Sequence, residues 1–408
     1  MSIKKEWTIF FLVKSIPSKD LRRLFNLLRP IESIDFAPYI NVLFAINFDR
    51  TYLDALLEFD ESDLDLPAKN KNTTAFFKLE MDQSLRKNRL KVVAENNKFD
   101  ISHPDHVKSY FKKEVLNKNY AKKYLLFTWD HGDGFGIFES IGKVPGYDGD
   151  QSTKQILSMK ELRQAIEGAL GGVKVDLLVM MNCYMQNIDT AYSLRNCVEY
   201  LVAPQTELGF DEYRYGEFFS VLANHPEMDA KLLSRIIIEK FHRTKDEIDD
   251  DVSISVCHLS MVESISGLLE LLADELEKRI ELEGTDLLNT IFEEAQSVHE
   301  SKGFIDFFSL LNQIYQFGNE NERSILDELI PKFYGMIIDS FVKLDDAVHC
   351  KYKSHYGMST YTPFSVKLTW DPLFFFKKKR MDRFMNSTEF ALENRWGQLM
   401  NKIEQSPN

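Results

Sequence analysis

Two side chains in this sequence have the chemistry of a nucleophile and its proton-transfer partner, and each follows an apolar run. His131 lies in "LLFTWDHGDGFGIF" (Leu125 to Phe138), and Cys183 ends "VDLLVMMNC". A thiolate attacks a carbonyl carbon directly, and an imidazole can move protons near neutral pH. Gly132, next to the histidine, has no Cβ, so its backbone N–H can approach a reacting carbonyl as an oxyanion donor must. A histidine at a strand end is usually structural. This one gains weight only if the fold brings it to Cys183, 52 residues downstream.

The same glycines invite a rival reading as a dinucleotide-binding loop. That fingerprint needs G-x-G-x-x-G opening a helix after a strand. Here Gly132, Gly134 and Gly136 run into "GIFESIG", which reads as extended chain, so no helix N-terminus is present to hold a pyrophosphate.

The elements that must position the pair are legible as alternating patterns. Strand-like runs occur at Trp7–Val13, Ile40–Ile46, Thr74–Leu79, Tyr124–Trp129, Val175–Met181 and Tyr200–Ala203. Helical periodicity precedes two of them, in "HVKSYFKKEVLN" and "SMKELRQAIEGAL". Alternation of this kind predicts an α/β layered fold with a mainly parallel sheet. Runs such as "VDLLVMM", apolar on both faces apart from Asp176, suit a sheet covered on both sides. Adjacent parallel strands would carry His131 and Cys183 to one carboxyl edge, where α/β proteins place their sites. From Ser260 to Val348 the chain reads almost wholly helical, and a strand-like tail begins at Gly357. The expected division is residues 1–261, a helical region 262–350, and a closing strand and tail 351–408.

Bulk properties exclude several classes. The net charge is −13 over 408 residues, against general nucleic-acid binding. The four cysteines, Cys183, Cys197, Cys257 and Cys350, form no CxxC pair, and neither His103/His106 nor His349-Cys350 has partners at zinc-ligand spacing. Cys197, Cys257 and Cys350 read as small buried hydrophobes. The acidic run Asp246–Asp251 lacks the alternating ligands of a calcium loop and reads as a solvated turn. The basic run "FFFKKKR" (Phe374 to Arg380) reads as a solvated face. No apolar run is long enough to span a bilayer. "WTIFFLV" after Lys4-Lys5 imitates a leader but is followed by "KSIPSKD" rather than a small-residue cleavage site, so it reads as the first strand. A cytoplasmic location is the expectation on that basis, with secretion open if a leader has been removed.

Taken together, "YLLFTWDHGDGFG" and "VDLLVMMNCYMQNIDTAYSLRNCVEYLVAPQTE" resemble the histidine and cysteine segments of the clostripain-like cysteine peptidases, members of the caspase-like superfamily. The resemblance continues through "SMKELRQAI", "YGEFFSVLANHPEMDAKLLSRIII", "SISVCHLSMVESISGLLELLADEL", "FIDFFSLLNQI" and "GMSTYTPF". It covers about Trp7 to Phe364, least clearly over 48–100. It implies a caspase-like α/β/α sandwich, a bacterial origin, and hydrolysis of protein or peptide substrates through an acyl-enzyme. By that resemblance Cys183 is the nucleophile, His131 the general acid and base, and the backbone N–H groups of Gly132 and Cys183 the oxyanion donors. No third catalytic side chain is implied, and Asp130 reads as a local hydrogen-bonding residue.

Departures from the family pattern carry their own expectations. The family shows Asp-Ala-Cys, whose aspartate receives an Arg or Lys before the scissile bond; this chain has Met181-Asn182-Cys183. A methionine cannot offset the desolvation of a guanidinium, so a neutral P1 residue is expected, with Glu207 the alternative source of charge in the pocket. Members often mature by cleavage between the two catalytic strands. The corresponding span is Gly142 to Gln155, where Lys143 and Lys154 are the candidate cleavage points. No cofactor is required; calcium is tied to activation in the family, but no site is evident here. The rival from another class is a catalytically silent relative acting as a binding module. Oligomeric state is not legible.

Overall fold

A computed structural model describes residues 5–15, 29–36, 38–49, 72–82, 87–96, 98–140, 155–209, 213–242, 252–299, 303–343, 356–361, 384–385 and 388–405. The strands are β1 (Lys5–Ser15), β2 (Ile40–Asp49), β3 (Asn72–Asp82), β4 (Lys87–Asn96), β5 (Ala121–Trp129), β6 (Gly136–Ser140), β7 (Gln155–Ser158), β8 (Val175–Met181), β9 (Val198–Pro204), β10 (Val252–His258), β11 (Ser297–His299), β12 (Phe304–Asp306), β13 (Ile337–Lys343) and β14 (Ser359–Tyr361). The helices are α1 (Pro104–Tyr110), continued by a π-helical segment Phe111–Asn117, then α2 (Met159–Leu170), α3 (Ile188–Leu194), α4 (Tyr215–Asn224), α5 (Ala230–His242), α6 (Val262–Glu283), α7 (Asp286–Glu294), α8 (Phe307–Phe317), α9 (Glu320–Met336), α10 (Glu389–Glu393) and α11 (Arg395–Gln405).

Nine strands form one sheet in the order β13-β10-β9-β8-β5-β1-β2-β3-β4. The central five, β9-β8-β5-β1-β2, are parallel. The outer pairs at either side are antiparallel. Strand alternation explains why these runs are apolar throughout. In β1, Trp7, Ile9, Phe11 and Val13 join a core with Phe218 and Phe219 of α4 and Leu233 and Ile237 of α5. Phe10 and Leu12 point to the opposite face, in a core with Leu162 and Ile166 of α2 and Leu269 and Leu272 of α6. Each buried side chain of this size contributes about 1.5–3 kcal/mol, and helices are needed on both sides to supply the cover. The helices beyond Met261 therefore pack on the sheet as part of the same core.

The crossover from β5 to β8 is set by local signals. Ser158 caps α2 by accepting from the Glu161 backbone, while Glu161 returns a bond to the Ser158 N–H. Gly171 closes the helix at φ +59, a conformation that glycine adopts without a Cβ penalty.

Two strands depart from the sequence expectation. Residues 337–343, expected as helix within the run to Val348, form β13, which pairs antiparallel with β10 at the sheet edge. "IIDSFVK" carries β-branched and aromatic residues but buries only Phe341 fully, so its strand character comes from the open edge of β10, a partner the local pattern does not reveal. β4, which the sequence reading leaves unassigned, is the other edge. Its "KNRLKVVAEN" is rich in charge, as edge strands that resist aggregation are. The tail at Gly357 does form a strand, β14, in a small sheet with β11 and β12. Asp246–Asp251, Cys350 and Phe374–Arg380 lie outside the described residues.

Candidate active site

β5 and β8 are parallel neighbours whose register pairs Trp129 with Met181. His131 and Cys183 therefore both stand two residues past the last paired position, on adjacent strands at the same edge. His131 is exposed and Cys183 partly so. Between them the backbones are in contact. A Cβ on Gly132 would lie 2.7 Å from the carbonyl oxygen of Cys183 and 2.8 Å from Cβ of Asn182. Only glycine lets the histidine loop approach the cysteine loop this closely.

Asn182 fastens the two strand ends. It is fully buried; its Oδ1 accepts from Thr128 Oγ1 at 2.6 Å, and its Nδ2 donates to the carbonyls of Asp130 (2.9 Å) and His131 (3.3 Å). Asn187 adds a second tie. It caps α3 by accepting from the Thr190 N–H, while its Nδ2 donates to the carbonyls of Gly134 and Tyr184. The histidine loop is shaped from within by Asp133, whose Oδ1 accepts from the N–H groups of Phe135 and Gly136. Gly134, at φ +89, lies against the Phe304 ring with no space for a side chain.

The residue after Cys183, Tyr184, has φ +64. A bulky residue in the left-handed region costs about 1–3 kcal/mol and persists where surrounding structure enforces it. Here its N–H donates to Thr206 O, its hydroxyl donates to Glu207 Oε1 at 2.6 Å, and its ring stacks on Phe304. The turn thus presents Cys183, whose Sγ lies 4.0 Å from Leu208 O, on the rim formed by the chain after β9.

The expected pocket residues divide. Glu207 is exposed on that rim. Met181 and Asn182 are not open to solvent: Met181 is 2% exposed in the core, with the Tyr215 hydroxyl on its sulfur, and Asn182 is spent on the ties above. Lys143 and Lys154 lie outside the described residues, although β6 and β7, which flank their span, pair antiparallel. The thiols of Cys197 and Cys257 are both pushed up by burial, that of Cys197 to about 12, which leaves them inert. Among the described residues no three His, Cys, Asp or Glu side chains group as metal ligands.

Sequence reasoning passed over Asn187, Tyr184 and Lys14, a buried lysine at the end of β1. None stands in a local pattern that marks it; their roles arise from pairings across long chain separations.

The sequence profile of the clostripain family (Peptidase_C11) matches residues 60–388. No curated protein matches the chain. Among solved structures, a secreted C11 cysteine protease of Bacteroides thetaiotaomicron, "iotapain", superposes with a TM-score of 0.64 at 13% identity, over 98% of this chain and 99% of that one. An irreversible peptide-inhibitor complex of a secreted C11 cysteine protease from the same organism gives 0.64 at 15% identity, over 95% and 98%. An inactive zymogen C11 protease of Parabacteroides distasonis gives 0.65 at 15% identity, over 98% and 99%. At these identities the likeness carries the caspase-like fold, and the profile, which spans most of the chain, carries the rest: this chain belongs to the clostripain family of cysteine peptidases.

Proposed function

We propose that the chain is an endopeptidase working through a Cys183/His131 dyad, with a neutral residue preferred at P1. The observation that carries the reading is the shared strand-end register, with Gly132 against the Asn182–Cys183 backbone. In the first half-reaction the Cys183 thiolate attacks the scissile carbonyl, and backbone N–H groups of Gly132 and Cys183 stabilise the oxyanion. His131 protonates the leaving amine as the C–N bond breaks. In the second, His131 takes a proton from water, hydroxide adds to the thioester, and the acid product leaves with the Cys183 thiolate restored.

The specificity follows from the lack of a carboxylate at position 181. Where the family pattern has a carboxylate, this chain has a thioether buried beneath Tyr215, which can neither pair with nor solvate a cationic side chain. Glu207, held by Tyr184 at the rim, is the charge that would restore a basic preference. If the chain matures by cleavage at Lys143 or Lys154, a neutral P1 preference assigns the cut to another, lysine-specific protease.

A thiol-directed peptide probe and a P1-varied peptide library test both parts. Wild type should label and hydrolyse, and Cys183→Ala should do neither; His131→Ala should lose hydrolysis by at least a hundredfold. Strong Arg or Lys preference would overturn the specificity, and absence of labelling would favour a silent binding module. Two structural relatives are described as secreted. Export is the second reading of location, decided by fractionating the producing cells. No helix among the described residues is long and apolar enough to cross a membrane.

A further inference from the structure

Lys14 is 2% exposed at the carboxyl end of β1, the strand beside β5. An ammonium taken out of water costs several kcal/mol unless it is paired and hydrogen-bonded. A lysine kept in such a place points to what it holds. Its Nζ donates to Ser102 Oγ, lies 3.6 Å from the Asp100 carboxylate, and lies 3.5 Å from the Phe138 carbonyl. Burial lowers its pKa, and the charges of Asp100 and Asp130 pull it back toward the protonated state. Burial raises the pKa of Asp100 in turn, but Lys14 and the Ser102 bonds outweigh that and hold it below the usual carboxylate range.

Two of these partners belong to one loop. Val13 pairs with Trp129, which sets Lys14 beside Asp130, the residue immediately before His131. Phe138, eight residues further, has φ +62, and its carbonyl also accepts from Ser102 Oγ at 3.1 Å. The segment Asp130–Phe138, which carries His131 and Gly132, is thus drawn at its start by charge and held at its strained end by the same ammonium and its serine partner.

We propose that Lys14 is a positioning residue that fixes the His131 loop against the cysteine strand end by engaging Asp130 and the Phe138 carbonyl. It touches neither substrate nor the reacting atoms. The proposal rests on the reading of His131 as the acid–base group. An ion pair with Asp100 that serves stability alone is the simpler account, and kinetics separates the two.

The test is Lys14→Met in the full chain, which keeps the unbranched apolar stem as far as Cε and removes the ammonium. On the best library peptide, kcat should fall at least tenfold with KM within twofold of wild type. The rate of Cys183 alkylation by iodoacetamide, which needs no peptide turnover, should fall in parallel, because a displaced imidazole no longer favours the thiolate. Asp130→Asn should lose kcat in the same manner, and the double variant should lose no more than the worse single one. Lys122→Met, which removes an exposed lysine paired with Glu6, should leave every reading unchanged. A Lys14→Met enzyme with a lower melting temperature but kcat and alkylation within twofold overturns the proposal. If Lys14→Met does not fold, Asp130→Asn decides alone: loss of kcat at constant KM supports it, and unchanged kcat overturns it. Failure of the dyad is distinguishable, because it would show as hydrolysis that survives His131→Ala in the wild-type background.

Discussion

Gly132 shows how little space separates the histidine and cysteine segments. A methyl group there would meet the Cys183 carbonyl oxygen at 2.7 Å, a backbone atom that cannot turn aside. Gly132→Ala should therefore push the histidine loop off the cysteine loop. We expect kcat to fall tenfold or more, with a melting temperature within a few degrees of wild type, as read by peptide hydrolysis beside thermal unfolding. The placement of His131 and Cys183 at neighbouring strand ends was legible in the sequence, because His-Gly and Asn-Cys each end a long apolar run. What was not legible is which neighbours are used up by structure. Asn182 and Met181 stand next to Cys183 in the chain, yet one ties strands together and the other packs in the core. Glu207, further away in sequence, is the one that reaches the rim.

α3, which follows the Cys183 turn, buries a carboxylate whose titration has consequences for stability. Asp189, in its first turn, is 2% exposed, neither of its carboxylate oxygens has a hydrogen-bond partner among the described residues, and burial pushes its pKa up to about 7. A raised pKa means that the folded protein prefers the protonated acid. The contribution is full below about pH 4, where the unfolded chain also binds the proton, and is lost as pH rises through about 7. Asparagine imitates the protonated form. Asp189→Asn should match wild type at pH 4 and exceed it at pH 8, by on the order of 1–4 kcal/mol in denaturant unfolding. Equal stability at pH 8 would remove the argument. Among elements, the parallel centre of the sheet could be read in advance because buried strands are continuously apolar; Val175–Met181 matches β8 to the residue. The edges could not. β4 and β13 are half-exposed and take their conformation from partners remote in the chain.

Across the whole molecule, the C-terminal helices are clamped onto the middle of the chain. Arg163 of α2 binds Glu389 of α10 through two nitrogens, and Asn394 donates to Ser266 of α6. Arg395 and Lys402 reach Asp274, Glu277 and Glu281 on the same helix. The exposed pairs among these add little individually; the weight lies in Phe390, Trp396 and Met400, each fully buried. Truncation before Thr388 would uncover the apolar faces beneath them. We expect the shortened chain to aggregate or to melt at least 10 °C lower, measured by light scattering during thermal unfolding.

The placement of β13 has a consequence for how the polypeptide is made. β10 is complete at His258, but the strand that shields its free side ends only at Lys343, after four helices have been laid down. At roughly 5–20 residues per second, several seconds of synthesis pass with that hydrogen-bonding row bare. During this interval a nascent chain is open to pairing with its neighbours on the same message, so closer spacing of ribosomes would lower how much of it survives.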